Sequence, residues 1–196
     1  MLLVVNCQNG FLEKCNSGVL RNIVEAADLM DDVWMLTWKT PPTEAFFKKI
    51  DWTQTKPDYE YGLYPELGNL PGHRHRMESP TDYTKEMYAA FDKNPDLYMI
   101  GANTSNWMVD MALDLWSNYR IKPTFFHDAW FSVGPKGSQS DANLALSRRF
   151  GAGIFKDWET FKAPLVARRQ ATQAEKGVAP APVEAVAPQE NAQPPQ

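Results

Sequence analysis

The sequence predicts an α/β protein with three layers, α/β/α, in which a mainly parallel sheet lies between two layers of helices. Two observations support this prediction. Short, unbroken apolar runs suit strands that are covered on both faces, as strands of parallel sheets are. Segments whose apolar residues recur every three to four positions, as in amphipathic helices, separate these runs. Strands that alternate with helices imply right-handed βαβ units, whose helices cover both faces of the sheet.

Four segments are predicted as strands because apolar and β-prone residues dominate them. They are residues 2–6 (LLVVN), 33–38 (VWMLTW), 96–101 (DLYMIG) and 123–130 (PTFFHDAW). Helices are predicted at residues 18–30, 104–119 and 139–150, the last with Ser140 or Asp141 as its N-cap. Ligands bind beyond the carboxyl ends of strands in such sheets, so the residues that follow these runs are the first candidates for a site.

Length, charge and cysteine content exclude several classes of protein. The chain has 196 residues, 43% of them hydrophobic, and a net charge of −4. Nucleic-acid and membrane-surface partners are not expected, because both favour clustered basic residues. Two cysteines are too few for a disulfide framework. Because the sequence shows neither a signal peptide nor a membrane-length apolar run, we expect a location in the cytoplasm or within a virus particle.

The composition changes near residue 164, which divides the chain into an α/β domain at 1–163 and a C-terminal arm at 164–196. The arm is rich in Pro, Ala and Gln and contains no aromatic residue. Such a composition is typical of an extended or disordered segment. Because the arm has few apolar groups to bury, partner subunits would be needed to hold it in one conformation.

Four stretches, in matching order and spacing, resemble the isochorismatase-like cysteine hydrolases, the superfamily that includes nicotinamidases. LLVVNCQNGF resembles the opening strand with its D-x-Q-x-x-F motif, and GLYPELGNLPGHRHRMES resembles the segment that leads to the catalytic lysine. LYMIGANTSNWMVDMALDL resembles the G-x-x-T-x-x-C-V segment, and TFFHDAWFS resembles the strand after it. The resemblance covers about residues 1–156 and implies the same three-layer fold.

The catalytic residues that the resemblance would place in this chain are absent. The family uses a Cys thiolate at a helix N-terminus, an Asp base and a Lys. Those positions fall on Trp107, on Asn6, and on His75 or Arg76. Because an amide cannot accept a proton at neutral pH and an indole is no nucleophile, no catalytic residue is expected. We interpret Trp107 as filling the substrate pocket, in preference to a plain core position.

No metal or cofactor is expected. Nicotinamidase-type members bind a metal through Asp and His residues soon after the second strand, but the equivalent stretch, 38–52, contains no His. The basic run His73–Arg76 has the residue types of an anion-binding loop, although a solvated polar loop is the favoured interpretation. Asn103 and Asn106 are candidates for a remnant ligand pocket.

Aromatic residues concentrate in 34–64 and alternate with lysines, as they do at protein interfaces. The interface candidates are Trp38, Phe46, Phe47, Trp52, Tyr59 and Tyr61. Core packing is an equally good interpretation of this region. If the region is an interface, protein subunits are the expected partners, either copies of this chain or another component of a large complex.

These observations favour a catalytically inactive isochorismatase-like domain that acts as a structural or binding subunit of a larger assembly such as a viral particle. Two alternatives stay open. One is a hydrolase with an altered site, in which Cys7, His75 or Asp128 performs the chemistry. The other is a small-molecule sensor whose pocket is lined by the asparagines and Trp107. A triad of His127 and Asp128 with a nearby serine is disfavoured, because adjacent strand residues point to opposite faces.

Overall fold

The computed structural model describes residues 1–12, 15–38, 62–104, 106–133 and 137–175. Its strands are β1 (Leu2–Val5), β2 (Val33–Trp38), β3 (His73–Met77), β4 (Tyr98–Thr104), β5 (Thr124–Val133) and β6 (Phe155–Lys156). Its α-helices are α1 (Asn9–Leu12), α2 (Ser17–Leu29), α3 (Pro65–Gly68), α4 (Lys85–Lys93), α5 (Trp107–Tyr119), α6 (Ser138–Phe150) and α7 (Trp158–Glu175). A short 3-10 helix covers Ala152–Ile154.

The strands form one sheet of six strands in the order β3-β2-β1-β4-β5-β6, and each neighbouring pair is parallel. This confirms the predicted α/β fold. The chain winds outward from β1 to β2 and β3 on one side, and from β4 to β5 and β6 on the other. The topological switch point therefore lies between the carboxyl ends of β1 and β4, where such sheets bind ligands.

Alternating strand residues build two apolar layers, one on each face of the sheet. Leu3 and Val5 of β1 pack in the layer under α4, α5 and α6. Leu2 and Val4 pack in the layer under α2 and α7. This alternation follows from the two-residue period of a strand. Because both faces are covered, β1 reads as an unbroken apolar run, as predicted.

Strand β3 differs from the predicted polar loop at His73–Arg76. It pairs with β2 in parallel, with Leu36 opposite His75 and Thr37 opposite Arg76. β3 is the edge strand, and its first four side chains are exposed or half-buried. An edge strand can carry polar residues on both faces, so hydrophobic periodicity gives no signal for it.

Helix α7 overlaps the predicted C-terminal arm. Residues 164–175 are helical, which corrects the extended conformation expected for them, and 176–196 lie outside the described residues. The Ala-, Gln- and Arg-rich segment has high helix propensity. Arg168 contacts Asp31 at 2.6 Å, and Arg169 pairs with Asp28. These exposed pairs orient α7 beside α2 and contribute little stability individually.

Helix α6 begins at Ser138, one residue before the predicted start at 139, but its N-cap is not the predicted residue. Gly137 is the N-cap, with a positive φ of 97°, and no side chain caps the helix. The predicted caps Ser140 and Asp141 lie inside the first turn instead. Asp141 there still interacts favourably with the helix dipole.

Asp128 connects β5 to α2 and α7. Its Oδ1 accepts a hydrogen bond from the backbone N–H of Trp158 at 2.9 Å. The side-chain amide of Asn22 donates to its Oδ2 at 3.3 Å and to its carbonyl oxygen at 3.0 Å. We expect Asp128→Ala to lower the free energy of unfolding by about 2 kcal/mol in urea titrations, because the first N–H of α7 loses its acceptor.

The matched variant Asp128→Asn retains one side-chain oxygen that can accept from the N–H of Trp158. It should therefore lose clearly less stability than Asp128→Ala. Equal losses in the two variants would contradict the role of this hydrogen bond.

Candidate functional site

The candidate site lies at the switch point, where the chain leaves β1, β2 and β4. Asn6 follows β1 directly, Trp38 ends β2, and Asn103 lies near the end of β4. All three residues are less than 5% exposed. The site is therefore built from interior side chains, and their hydrogen bonds and packing decide what chemistry is available.

Asn6 is the residue that the sequence resemblance aligns with the family's catalytic aspartate. Its φ is 52°, in the left-handed region where asparagine is several-fold enriched. Its backbone N–H donates to the carbonyl oxygen of Leu36 at 2.7 Å, which extends the β1–β2 ladder by one residue. The residue turns the chain out of the sheet and offers no carboxylate that could take up a proton.

Gln8 ties the ends of β1 and β2 together. Its Oε1 accepts a hydrogen bond from the backbone N–H of Trp38 at 3.1 Å, and Gln8 forms an antiparallel bridge with Leu63. Gln8 is fully buried. The glutamine of the D-x-Q-x-x-F motif therefore has a structural function that the sequence alone did not reveal.

Trp107 is the first residue of α5, and the sequence resemblance aligns it with the family's nucleophile. Its ring lies 4.9 Å from that of Trp38 at an interplanar angle of 61°, and Phe11 contacts Trp38 edge-on at 5.5 Å. Ala102 and Val133 complete this aromatic cluster. Within the described residues, Nε1 of Trp107 is buried and has no hydrogen-bond partner.

Asn103 caps α5 from the preceding strand. Its Oδ1 accepts from the backbone N–H of Met108 at 3.0 Å, and its Nδ2 donates to Oγ of Ser132 at 3.1 Å. Acyl transfer needs N–H donors that point at the developing oxyanion. The N–H of Met108 points instead at Asn103. The side chain predicted to line a remnant pocket is thus engaged in internal hydrogen bonds.

Asn106, the other predicted pocket residue, is exposed and adopts a left-handed φ of 67°. It precedes α5 at the N-cap position but makes no side-chain cap hydrogen bond. The exposed Asn106 and the buried Asn103 therefore do not act as a pair.

The two candidates for the lysine position lie on opposite faces of β3. His75 shares the face of its register partner Leu36, and its Nε2 is 2.8 Å from the carbonyl oxygen of Asp82. The same nitrogen is 3.6 Å from a carboxylate oxygen of Asp82. Arg76 lies beside Thr37 on the other face. His75 is therefore oriented by Asp82 and not by any residue around Trp107.

The structure does not bring together Cys7 and His75, the alternative nucleophile and base. Cys7 is fully buried in the layer under α2 and α7, and its Sγ lies 3.6 Å from the carbonyl oxygen of Val5. His75 faces the opposite layer, with Leu36. Burial raises the pKa of the Cys7 thiol, so the thiolate is disfavoured at neutral pH. Cys7 is a small core residue.

Thiol labelling tests this assignment. Burial raises the pKa of Cys15 to about 11, so its thiolate fraction below that pH should rise about tenfold per pH unit. At pH 8 we expect the native protein to react with iodoacetamide roughly a hundredfold more slowly than the urea-unfolded chain. The variant Cys15→Ser isolates Cys7, which should react only after unfolding. Rapid alkylation of native Cys7 at neutral pH would contradict its burial.

The residues of the disfavoured serine triad are not assembled. His127 is exposed, with Nδ1 2.7 Å from the carbonyl oxygen of Lys156. Asp128 bonds Asn22 and Trp158 instead. Ser132 accepts from Asn103, and Ser138 and Ser140 lie on α6.

Of the aromatic interface candidates, only Trp38 lies in the described part of the chain. It is 4% exposed and belongs to the cluster around Trp107, so its assignment to an interface is corrected to a core position. Phe46, Phe47, Trp52, Tyr59 and Tyr61 lie outside the described residues.

The described ranges show neither a metal-binding cluster nor a membrane-spanning helix. They contain no group of three or more His, Cys, Asp or Glu side chains arranged to hold a metal ion. No helix described in the structure is both long and apolar enough to cross a membrane.

The architecture and switch-point site define an isochorismatase-like α/β fold. A protein from Burkholderia xenovorans described as an isochorismatase matches with a TM-score of 0.64 and 17% identity over 90% of this chain and 97% of its own. N-carbamoylsarcosine amidase from Thermoplasma acidophilum matches with a TM-score of 0.56 and 15% identity over 80% of this chain and 95% of its own. A nicotinamidase/pyrazinamidase from Bacillus subtilis matches with a TM-score of 0.56 and 13% identity over 77% of this chain and 96% of its own.

Sequence comparison adds nothing to this result. No protein-family model matches the chain, and no curated protein matches it significantly. The structural matches are all below 25% identity and therefore establish the fold alone.

Proposed function

We propose that this chain is a non-catalytic protein with the isochorismatase-like fold, which acts as a structural or binding subunit of a larger assembly. The observation that carries the proposal is the position of Trp107. Its indole stands at the N-terminus of α5 and packs on Trp38, in the space that a substrate would need next to a nucleophile.

The groups around the indole support the absence of acyl transfer. Asn6 has no ionisable group with which to accept a proton. The N–H of Met108, at the start of α5, is engaged with Asn103 instead of being available to an oxyanion. Base and nucleophile are two functions that acyl transfer needs, and the positions that the resemblance assigns to them hold the amide of Asn6 and the indole of Trp107.

The proposal predicts that the protein does not hydrolyse nicotinamide or N-carbamoylsarcosine, the substrates named for two of the structurally similar enzymes. A fold that no longer catalyses a reaction still provides a rigid surface. Because Trp34 and Trp38 are core residues, we infer that the aromatic residues of 46–61 and the C-terminal arm contact partner subunits, either copies of this chain or other components. A viral particle is one setting in which an arm of this composition would reach a neighbouring subunit.

The mass of the native protein tests the subunit proposal. Light scattering should give a homo-oligomer or larger complex for the full-length chain, both purified and in extracts of its native source. A variant truncated after Glu175 preserves all of α7 and removes only the remaining arm. Loss of the large complex on truncation would support the arm as a tether. A monomeric full-length protein with no co-purifying partner would overturn the proposal.

A further inference from the structure

A cavity of about 240 Å³ lies beside the β2–β3 pair, separate from the cluster around Trp107. It is lined by Met35, Thr37, Leu63, Arg74, His75 and Arg76. Met35 and Leu63 belong to the layer under α2 and α7, whereas Trp107 packs on the other layer and on the cluster at the strand ends. The cavity is therefore distinct from the substrate position of the isochorismatase-like fold.

The sheet register places two arginines side by side on one face. Met35 pairs with Arg74, and Thr37 pairs with Arg76. Residues two apart on a strand share a face, and neighbouring strands are about 4.8 Å apart. These four side chains therefore form a two-by-two array on one face of the sheet. Met35 and Thr37 of β2 lie beside Arg74 and Arg76 of β3.

Among the described residues that line the cavity, none is acidic, so the positive charge of this array has no carboxylate partner there. Arg74 is fixed by hydrogen bonds to the carbonyl oxygens of Gly68, Leu70 and Gly72 at 2.8, 2.9 and 3.3 Å. Arg76 makes no hydrogen bond or ion pair to any residue, in so far as the chain is described. Arg74 and Arg76 are both exposed, so solvent screens their mutual repulsion, and the guanidinium of Arg76 is available to pair with an anion.

Thr37 supplies a second, independent observation. The residue is 7% exposed and lines the cavity, and within the described ranges its hydroxyl has no hydrogen-bond partner. The hydroxyl oxygen is not one of the fully buried, unpartnered polar atoms of the described residues, so it stays open to solvent through the cavity. A ligand oxygen in the cavity would accept a hydrogen bond from this hydroxyl in place of water.

We propose that this cavity binds a small oxyanion, a phosphate or carboxylate group, between the guanidinium of Arg76 and the hydroxyl of Thr37. The planar guanidinium presents paired N–H donors that match the oxygens of either group, and the hydroxyl donates a further hydrogen bond. Met35 and Leu63 are apolar walls, so the site suits the anionic end of a small organic molecule. In this proposal the basic run His73–Arg76 binds an anion, whereas a solvated polar loop would have no such function.

Titration of the ¹⁵N-labelled full-length protein tests the site, with inorganic phosphate and acetate as separate probes at constant ionic strength. We expect saturable shifts of backbone amides in β2 and β3 at millimolar concentrations of at least one probe. Arg76→Gln should weaken that affinity at least tenfold, and Thr37→Val should weaken it severalfold. The matched control Arg148→Gln removes the same charge from an exposed position on α6 and should leave the affinity unchanged.

Saturation with phosphate alone, acetate alone or both supports the site and identifies the oxyanion that it prefers. The variant Arg76→Lys retains the charge without the planar fork and should bind more tightly than Arg76→Gln. Shifts that stay linear in concentration with both probes, or an affinity that Arg76→Gln leaves unchanged in a folded protein, would overturn the proposal.

Discussion

We expect Gly101→Ala to lower the free energy of unfolding by at least about 4 kcal/mol, measured by urea denaturation. Gly101 has a φ of +112°, which side chains rarely adopt. A Cβ at this position would lie 2.2 Å from the carbonyl oxygen of Val5 and 2.9 Å from Sγ of Cys7. Because β1 and β4 are the central strands, the clash cannot be relieved at the edge of the sheet.

Gly68→Ala is the matched control. A Cβ there meets no atom within 4 Å, and Gly68 lies in α3 without a positive φ. Its effect should stay within about 1 kcal/mol of zero. A variant Gly101→Ala that is as stable as the unmodified protein would mean that β1 and β4 do not approach each other as described. Failure of Gly101→Ala to fold would be the predicted loss of stability in its extreme form.

We expect Trp107→Ala to cost about 3 kcal/mol, the lower end of the range for core aromatic residues, because the indole is half-buried and packs on Trp38 at the aromatic cluster. Apolar cavities left by such truncations can bind small aromatic molecules. Added indole should therefore raise the thermal unfolding midpoint of Trp107→Ala and leave that of the unmodified protein unchanged.

Trp116→Ala removes the same side chain from the same helix, where it is half-buried and contacts Phe150. Trp107 is half-buried too, so the two losses of stability should be similar, but Trp116 lies outside the aromatic cluster and its variant should not respond to indole. If added indole raised the midpoint of the unmodified protein as much as that of Trp107→Ala, the site would already be open to a ligand.

The sequence predicts the central strands because burial on both faces leaves a continuous apolar run, as in β1 and β2. It does not predict β3, since an edge strand of His and Arg carries no apolar pattern. It also misplaces the start of the arm. The composition of residues 164–175 suits both a solvated helix and an extended chain, and the ion pairs of Arg168 and Arg169 with acidic residues at the end of α2 cannot be read from local sequence.

For the site, the sequence and its family resemblance identify the positions but not the functions of the residues there. Asn6 and Trp107 were predicted as substitutions at catalytic positions. The hydrogen bond from Met108 to Asn103 and the one from Trp38 to Gln8 depend on how the ends of three strands meet. No spacing rule predicts such tertiary contacts, and for the same reason the pairing of Cys7 with His75 looked possible before the two faces of the sheet were assigned.

The most direct test of the non-catalytic assignment is ammonia release from nicotinamide and N-carbamoylsarcosine, measured with the purified full-length protein. We predict a rate equal to that of the substrate in buffer alone, because neither a base nor a nucleophile is present where Asn6 and Trp107 stand. A rate that saturates with substrate concentration and disappears in urea together with the folded protein would contradict the assignment.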